Sequence, residues 1–572
     1  MEKAKRKNRI SLFFWMFVLV ALLIFIVFLY RALSKPKYFI SPEITKKKIA
    51  LRGKIKSDKF ILAKSKQVYG VYILPRYIDS TKKEMFIKLF SIYSGISSKE
   101  LRERLKSNPN KNVLLGIVDL KTKQDLIYLR HILDKFRVFR IDEKSGYRIG
   151  YYIENLDFVR EYPYGDTFEP YLGRYRSDIK RGENGIEYYY DKRLKEKKDG
   201  FIRGNRDVFG NIVFNKNTKI APAINGEDIK LNINLILQRR IEKLLDKKAK
   251  EYNVSNIVAA VMDSESGKIV AIASSNRYDP NKITPKDIKN MKISAVKDLF
   301  EPGSVMKPFL MAILLENKKV KLNEVINGLN GYWKPKWRKK AIRDDIPFKK
   351  LTLDDIITYS SNIGIAKLAF RLSGKEIRDG LLKFGFGKKS GIDLPFEEVK
   401  PIRSATELRY PGNKISIGFG YGISVTFVQL LKAFDVFNNN GFLVTPRIAF
   451  KSNQKIKIIS PKTSEIILNM LRDVVLKGTG KSAYVDGIFT AGKTGTAHIF
   501  SLKEKKYINV YNSSFFGFAN DKKHKYTIGV VFYKINMPNP YYFASHSAAP
   551  TFKEIVDIML EENLLKRDNS ER

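Results

Sequence analysis

The sequence contains no cysteine, and this absence excludes disulfide bonds and every metal or cluster site that needs a cysteine ligand. Histidine is also scarce. The four histidines (His131, His498, His524 and His546) form no pair with the spacing of a metal site. We therefore expect the protein to work without a metal ion or any other cofactor.

Acidic residues are few compared with basic ones. The 572 residues include 106 Lys and Arg but only 59 Asp and Glu, so the formal net charge is +47, spread along the chain. Such a charge favours anionic partners such as lipid head groups, cell-wall polymers or nucleic acid, although a lysine-biased genome explains it equally well. The hydrophobic fraction of 44% indicates a folded chain, long enough for two or three domains.

The sequence has a single long hydrophobic run. Residues 10–30, ISLFFWMFVLVALLIFIVFLY, carry no charge, and as a helix they would span about 31 Å, close to the hydrocarbon thickness of a bilayer. We predict an uncleaved transmembrane anchor. A cleaved signal peptide is the alternative, but its apolar core would be shorter. Five basic residues lie within residues 1–9, so we expect this tail in the cytoplasm and the chain after residue 31 outside it.

Two regions of different character follow. Residues 48–215 are rich in Lys, Arg and Tyr, with short strand-like runs and few strong helix patterns, which indicates an irregular β-rich extracytoplasmic domain. Residues 214–228 resemble a linker because Asn, Pro and Gly cluster there. In residues 229–565, hairpin patterns at both ends enclose helical stretches, one of which we expect to end at Gly374. We predict a mixed α+β and α/β fold, with one mostly antiparallel sheet packed against helices and a helical subdomain.

Ser304 and Lys307 form a Ser-x-x-Lys pattern in EPGSVMKPF, residues 301–309. One interpretation is that Ser304 is an ordinary helix cap. The other is that Ser304 is a nucleophile at a helix N-terminus, with Lys307 one turn away as its base, if burial or a neighbouring cation lowers the pKa of the lysine. The pattern alone is weak, since Ser177–Lys180 and Ser294–Lys297 repeat it.

A second pattern is Ser-x-Asn, formed by Ser360 and Asn362. A serine hydroxyl in this place is able to relay a proton, and the amide is able to hold a substrate amide through its donor and its acceptor. The alternative is a group of polar residues at a helix break. Another copy, Ser274-Ser275-Asn276, shows that the pattern alone is weak.

A third pattern lies in AGKTGTA, residues 491–497. From Gly487 to Thr494 the sequence satisfies the Walker A pattern of phosphate-binding loops, but the intervening IFTA favours a strand and no helix is predicted to follow. The alternative is an edge strand carrying Lys493, Thr494 and Gly495. Its lysine and hydroxyls would bind a substrate carboxylate, and its glycine would let the backbone approach the scissile bond.

In this order, the three patterns are the elements of penicillin-recognising serine acyltransferases. The chain resembles class B penicillin-binding proteins, which are membrane-anchored peptidoglycan D,D-transpeptidases, over nearly its whole length. The resemblance implies a transmembrane anchor at 10–30, a pedestal domain of the dimerisation type at 48–215 and a transpeptidase domain at 229–565. KSDKF (56–60) departs from the family's usual turn. Further similar segments are LRGKI (51–55), YPYG (162–165), GIEYYYDKRL (185–194), LNINLILQ (231–238), GTGKSA (478–483) and AAPTF (548–552).

The resemblance also implies roles for individual residues. Ser304, with Lys307 as general base, would attack the penultimate D-Ala carbonyl of a stem peptide, and an amine of a neighbouring stem would then take the acyl group. The backbone N–H groups of Ser304 and Thr496 would form the oxyanion hole. The remaining implied roles are proton relay for Ser360, amide alignment for Asn362, positive charge beside Lys307 for Lys493, carboxylate binding for Thr494 and Thr496, and close backbone approach for Gly495.

Partners and location follow from the same resemblance. We expect peptidoglycan stem peptides, a lipid-linked precursor polymer, β-lactams, the membrane and division proteins including a glycosyltransferase, but no nucleic acid. FEPGSVMKP and GFGYGISVT resemble the division branch, so we predict a protein of the cytoplasmic membrane that acts at the septum. The alternatives are the elongation branch, a β-lactamase, a β-lactam sensor and a non-enzymatic wall-binding scaffold.

Overall fold

The computed structural model describes residues 2–33, 43–106, 110–143, 146, 148–206, 212–338, 340–449, 454–501 and 503–568. The chain divides into two compact units. The first comprises residues 1–50 and 198–224, and the second comprises residues 51–197 and 225–572. In the second unit we call residues 51–197 the N-terminal module and residues 225–568 the C-terminal module.

The α-helices of the described residues are α1 (Glu2–Leu33), α2 (Lys83–Ser94), α3 (Ser98–Arg104), α4 (Leu120–Lys135), α5 (Gly185–Tyr189), α6 (Asp191–Leu194), α7 (Leu235–Glu251), α8 (Ser294–Lys297), α9 (Lys307–Glu316), α10 (Leu353–Thr358), α11 (Asn362–Ala369), α12 (Gly374–Lys383), α13 (Pro411–Gly418), α14 (Phe427–Asp435), α15 (Pro461–Leu476) and α16 (Ala548–Glu561).

The β-strands of the same residues are β1 (Glu43–Lys48), β2 (Ile55–Ser57), β3 (Phe60–Ile73), β4 (Val113–Val118), β5 (Tyr152–Glu161), β6 (Tyr175–Arg176), β7 (Arg181–Gly182), β8 (Gly200–Asn205), β9 (Lys219–Ala221), β10 (Ile229–Leu231), β11 (Asn256–Asp263), β12 (Ile269–Ser274), β13 (Val325–Asn327), β14 (Tyr332–Trp333), β15 (Ile342–Arg343), β16 (Lys350–Thr352), β17 (Phe442–Leu443), β18 (Ile456–Lys457), β19 (Phe489–Ser501), β20 (Lys506–Asn520) and β21 (Lys525–Ile535).

The first unit contains the long helix α1 and a small antiparallel sheet in which β8 pairs with β1 and β9. The apolar part of α1, Ile10–Leu33, has 24 residues and a length of about 36 Å. By length and composition it is able to cross a membrane, as predicted for residues 10–30. The expected linker at 214–228 contains strand β9, which its Asn, Pro and Gly content did not indicate.

The N-terminal module contains β2, β3, β4 and β5. They form a sheet with the order β10-β2-β3-β4, in which β5 also pairs with β3 and β10 comes from the C-terminal module. Helices α2 and α4 cover one core of this module. The sequence analysis did not anticipate α4, because most of its residues are polar. Its buried side chains, Leu126, Leu129 and Leu133, are spaced so that they share one helical face.

A buried ionic cluster ties the N-terminal module together. Both arginines Arg52 and Arg160 bind the carboxylate of Glu187, at 2.8 and 2.7 Å, and all three side chains are almost fully buried. Tyr162 donates its hydroxyl to the same carboxylate at 3.4 Å. Three segments that carry the family resemblance, LRGKI, YPYG and GIEYYYDKRL, therefore meet at one point of the structure.

The C-terminal module contains a five-stranded antiparallel sheet with the order β12-β11-β21-β20-β19. Alternate residues of each strand face opposite sides. On β11, Ile257, Ala259 and Val261 join the core with α7 and α16, whereas Val258 and Ala260 join the core with α9, α14 and α15. Helices thus cover both faces of the sheet, and β19 is left at one edge.

Most of the predicted elements of the C-terminal module are confirmed. The hairpins β11–β12 and β20–β21 form where apolar runs in the sequence predicted them. The prediction that Gly374 ends a helix is wrong. The expected single helix is broken into α10 and α11, and Gly374 is the first residue of α12, which begins with a capping box between Ser373 and Glu376.

Candidate active site

Ser304 lies in a short 3₁₀ turn, Gly303–Met306, that leads directly into α9. Gly303 has a φ of 59°, in the left-handed region that favours glycine. The cap positions of the turn and of α9 are Pro302 and Met306, and neither makes a side-chain cap bond. Ser304 is therefore not a helix cap. Its side chain lines a cavity instead.

Lys307 is the first residue of α9 and has no exposed surface. Its Nζ donates to Asn362 Oδ1 at 2.9 Å, to Ser360 Oγ at 3.0 Å and to the carbonyl oxygen of Ser360. Within the described part of the chain, no hydrogen bond joins it to Ser304. Burial lowers the pKa of Lys307 to about 7, while the carboxylates of Asp344 and Asp345 act in the opposite direction.

The Ser-x-Asn pattern forms the break between α10 and α11. Ser360 adopts a φ of 60°, which is rare for a residue with a side chain. Ser361 caps α11 by accepting from the Gly364 N–H at 2.9 Å. Asp344 holds this break in place. Its carboxylate accepts from the Ser361 hydroxyl at 2.6 Å and from the Asn362 N–H at 2.6 Å. The sequence analysis missed Asp344.

Lys493 lies on the edge strand β19 and is as fully buried as Lys307. Its Nζ is 3.1 Å from Ser360 Oγ, so this hydroxyl bridges the two lysine nitrogens. Burial, together with repulsion from Lys307, holds the pKa of Lys493 well below its usual value. Protonation of one amine thus disfavours protonation of the other, and the Ser360 hydroxyl provides a path along which a proton is able to move between them.

Gly495 allows β19 to lie directly against the turn that carries Ser304. A Cβ at this position would come within 2.7 Å of the Pro302 carbonyl oxygen and 2.8 Å of Val305 Cγ2. A Cβ on Gly303 would likewise be 3.4 Å from the Thr496 carbonyl oxygen. The absence of a side chain at Gly495 therefore lets β19 pack against the turn that carries Ser304. The close packing also brings the backbone of Thr496 beside Ser304.

The Walker A interpretation fails on this geometry. Residues 489–501 form one continuous strand, whereas a phosphate-binding loop needs a turn that leads into a helix. Thr494 bonds through its hydroxyl to Thr479 at 2.8 Å. Thr496 accepts from the Ala544 N–H at 3.2 Å, which leaves its own O–H available as a donor.

These residues surround an open cavity of about 790 Å³. Ser304, Ser360, Asn362, Thr494 and Thr496 all line it, and the buried Lys307 and Lys493 hydrogen-bond to Ser360 beneath it. The predicted site residues are thus brought together around one cavity. Lining residues that the sequence analysis did not assign include Asp345, Phe419, Tyr421, Thr479, Lys481, His498, Tyr511 and Tyr542.

Four of these residues lie in segments whose sequence already resembles the family. Thr479 and Lys481 are part of GTGKSA, and Phe419 and Tyr421 are part of GFGYGISVT. The similarity of these two segments to the family was therefore the sequence feature from which these lining residues could have been predicted. The others, such as Asp345, lie in no recognisable pattern, because only the tertiary fold brings them to the cavity.

Comparison with known families identifies the chain. Residues 257–557 match the penicillin-binding protein transpeptidase domain, and residues 47–231 match the penicillin-binding protein dimerisation domain. The chain belongs to the penicillin-binding protein transpeptidase family. The transpeptidase match contains Ser304, Lys307, Ser360, Asn362 and Lys493.

The chain is similar to known penicillin-binding proteins over most or all of its length. It is 30% identical to the probable peptidoglycan D,D-transpeptidase PenA of Neisseria meningitidis, over 71% of this chain and 69% of PenA. It is 27% identical to the peptidoglycan D,D-transpeptidase FtsI of Buchnera aphidicola, over 99% and 98% of the two chains. Its fold is similar to that of penicillin-binding protein 2X from Streptococcus thermophilus, with a TM-score of 0.72, 20% identity, and coverage of 92% and 83%.

The close contact at Gly495 leads to a testable prediction. Gly495→Ala should displace β19 from the Ser304 turn, because the new Cβ has no room. We expect labelling by benzylpenicillin to slow by about 10- to 100-fold, as for other small misplacements of reacting groups. The matched control is Gly412→Ala in α13, whose added Cβ would meet nothing within 4 Å. Equal labelling rates for the two variants would contradict the role that we give to this contact.

Proposed function

We propose that this protein is a serine D,D-transpeptidase that cross-links peptidoglycan stem peptides and is acylated by β-lactams. One observation carries the proposal. Ser304 opens onto the cavity that Ser360 also lines, and the Ser360 hydroxyl bridges two buried lysine amines. This arrangement provides a nucleophile, a base of lowered pKa and a proton path within one site.

The first half-reaction would form an acyl-enzyme. Ser304 Oγ bonds to the carbonyl carbon of the penultimate D-Ala, and its proton passes to the neutral amine of Lys307. The bond from that carbon to the terminal D-Ala nitrogen then breaks, and the proton reaches the leaving amine through Ser360. In a β-lactam the ring amide takes the place of this bond, so the leaving group stays attached.

Other residues would bind and polarise the substrate. The backbone N–H groups of Ser304 and Thr496 would form the oxyanion hole, a contribution of about 3–4 kcal/mol per donor in other enzymes. The hydroxyls of Thr494 and Thr496 would hold the terminal carboxylate, with Lys481 nearby at the cavity wall. Asn362 would align the donor amide. In the second half-reaction, an amine of another stem takes the acyl group from Ser304.

The domain composition favours a transpeptidase over a β-lactamase. A dimerisation domain of the penicillin-binding type matches residues 47–231, and a β-lactamase would lack this part. The helix Ile10–Leu33 supports attachment to the cytoplasmic membrane by a single span. We propose that residues 1–9 lie in the cytoplasm and that the second unit acts outside it.

The nucleophile is tested by intact-mass analysis after penicillin treatment. The wild-type protein should gain one penicilloyl group, located on Ser304, and Ser304→Ala should gain none. The matched control is Ser294→Ala, because Ser294 and Lys297 form the same pattern at the start of α8. An adduct that persists in Ser304→Ala would refute the assignment.

The base is tested by the pH dependence of acylation. The neutral form of Lys307 is the active form, and its pKa is lowered to about 7 by burial. The second-order rate constant for benzylpenicillin should therefore fall as the pH drops below about 7 and level off above about 8. Stopped-flow measurements at constant ionic strength give the profile. A flat profile between about pH 5.5 and 8.5 would contradict the role of Lys307 as base.

We further propose a septal role, with division membrane proteins and a glycosyltransferase as partners. The similarity to FtsI along the whole chain supports this assignment, as does the resemblance of the segments around Ser304 and Tyr421 to the division branch. A fluorescent fusion should concentrate at midcell, and depletion should give filaments because lateral wall growth continues. Rounded cells, with the fusion along the side wall, would assign the protein to elongation instead.

A further inference from the structure

One carboxylate in the cavity has been described so far only through its effect on the pKa of Lys307. Asp345 is the only acidic residue among the described residues that line the cavity. It is exposed, and among those residues its side chain makes no hydrogen bond or ion pair. An unpaired carboxylate at the mouth of a site is unusual here, because the chain as a whole carries a net charge of +47.

The backbone around Asp345 is held firmly. The preceding residue, Asp344, donates its N–H to the Gly331 carbonyl oxygen at 3.1 Å. The Asp344 carboxylate accepts from the Asn362 and Ile363 N–H groups at 2.6 and 3.0 Å. Because adjacent Cα atoms are about 3.8 Å apart, Asp345 is fixed on the side of the cavity formed by Ser360 and Asn362.

The reaction places a nitrogen atom on this same side. In the proposed mechanism, Ser360 gives a proton to the leaving amine during acylation. Transfer to an acceptor is the reverse of that step with a different amine, so the incoming nitrogen occupies the position of the departing one.

Electrostatics oppose the arrival of a cationic acceptor elsewhere in the cavity. A primary amine is protonated at neutral pH, and the exposed Lys481 is also among the cavity-lining residues. The positive field of the whole chain repels such a cation as well. A carboxylate beside the entry position would attract the ammonium ion and raise its local concentration.

We propose that Asp345 is a positioning residue that binds the acceptor of cross-linking as a primary ammonium ion. This inference rests on the proposed transpeptidase function. The bound ammonium loses one proton to solvent and becomes an amine. Its nitrogen then forms a bond to the acyl carbon while the bond from that carbon to Ser304 Oγ breaks. The second proton passes through Ser360 and Lys307 to Ser304 Oγ, which restores the hydroxyl.

The test compares two acceptors on the full-length protein in detergent. A peptide that ends in D-Ala–D-lactate acylates Ser304, and the acyl-enzyme then partitions between water and an added amine. Cadaverine is a cation at neutral pH, whereas hydroxylamine is uncharged. Mass spectrometry gives the ratio of aminolysis to hydrolysis. Asp345→Asn should lower this ratio about 5-fold for cadaverine and by less than about 2-fold for hydroxylamine.

Three controls make the result specific. Asp345→Glu should restore the cadaverine ratio, since it returns the charge. Glu265→Gln removes the same charge from the exposed turn between β11 and β12 and should behave as wild type. At about 0.5 M NaCl the difference in the cadaverine ratio between wild type and Asp345→Asn should shrink, because salt screens the Asp345 charge, while the hydroxylamine ratio should stay the same in both proteins.

The outcomes separate this inference from the proposed function. If the wild-type protein forms no acyl-enzyme on Ser304, the transpeptidase proposal fails, and with it the basis for an acceptor site. If the acyl-enzyme forms but Asp345→Asn changes both ratios equally or neither, then Asp345 does not bind the acceptor ammonium.

Discussion

A lysine amine loses favourable hydration when it is buried, and the candidate site depends on this cost at Lys307. Within the described residues, the surroundings offer the amine oxygen acceptors but no directly bonded carboxylate. Those acceptors come from Ser360 and Asn362, so the break between α10 and α11 must be held in one conformation. Asp344 provides this support. A residue that touches no reacting group thereby controls the position of the base and the relay.

The same constraint explains the left-handed backbone of Ser360. This conformation is costly for a residue with a side chain, but here it turns both the hydroxyl and the carbonyl oxygen of Ser360 toward Lys307. A regular helix through this segment would point the carbonyl along the helix axis. The strain is therefore located where two functional oxygens must converge on one amine.

Short-range patterns predicted much of the C-terminal module. The hairpins β11–β12 and β20–β21 were predicted from apolar runs joined by polar turns, and the strand residues in IFTA argued against a phosphate loop. The order of the three motifs also predicted that Ser304, Ser360 and Lys493 lie in one site. Asp344 could not be found in this way, because its role arises from hydrogen bonds to Ser361 and to the start of α11. Asp345 could not be found either, because only the fold brings it to the cavity. Helix α4 was not predicted, because its three buried leucines are separated by polar residues. The prediction for Gly374 was wrong because a glycine next to a helix is compatible with either its start or its end.

The buried cluster around Glu187 joins segments that are far apart in the chain. The neighbouring strand β2 also depends on a distant segment, and this separation affects the order in which the protein folds. It pairs with β3 on one side and with β10 on the other, and Lys54 and Asp228, which flank the pairing with β10, are 174 positions apart. At about 5–20 residues per second, synthesis of that interval takes roughly 9–35 seconds. During this time the edge of β2 that pairs with β10 lacks its native partner. An unpaired strand edge favours aggregation and proteolysis of the nascent chain.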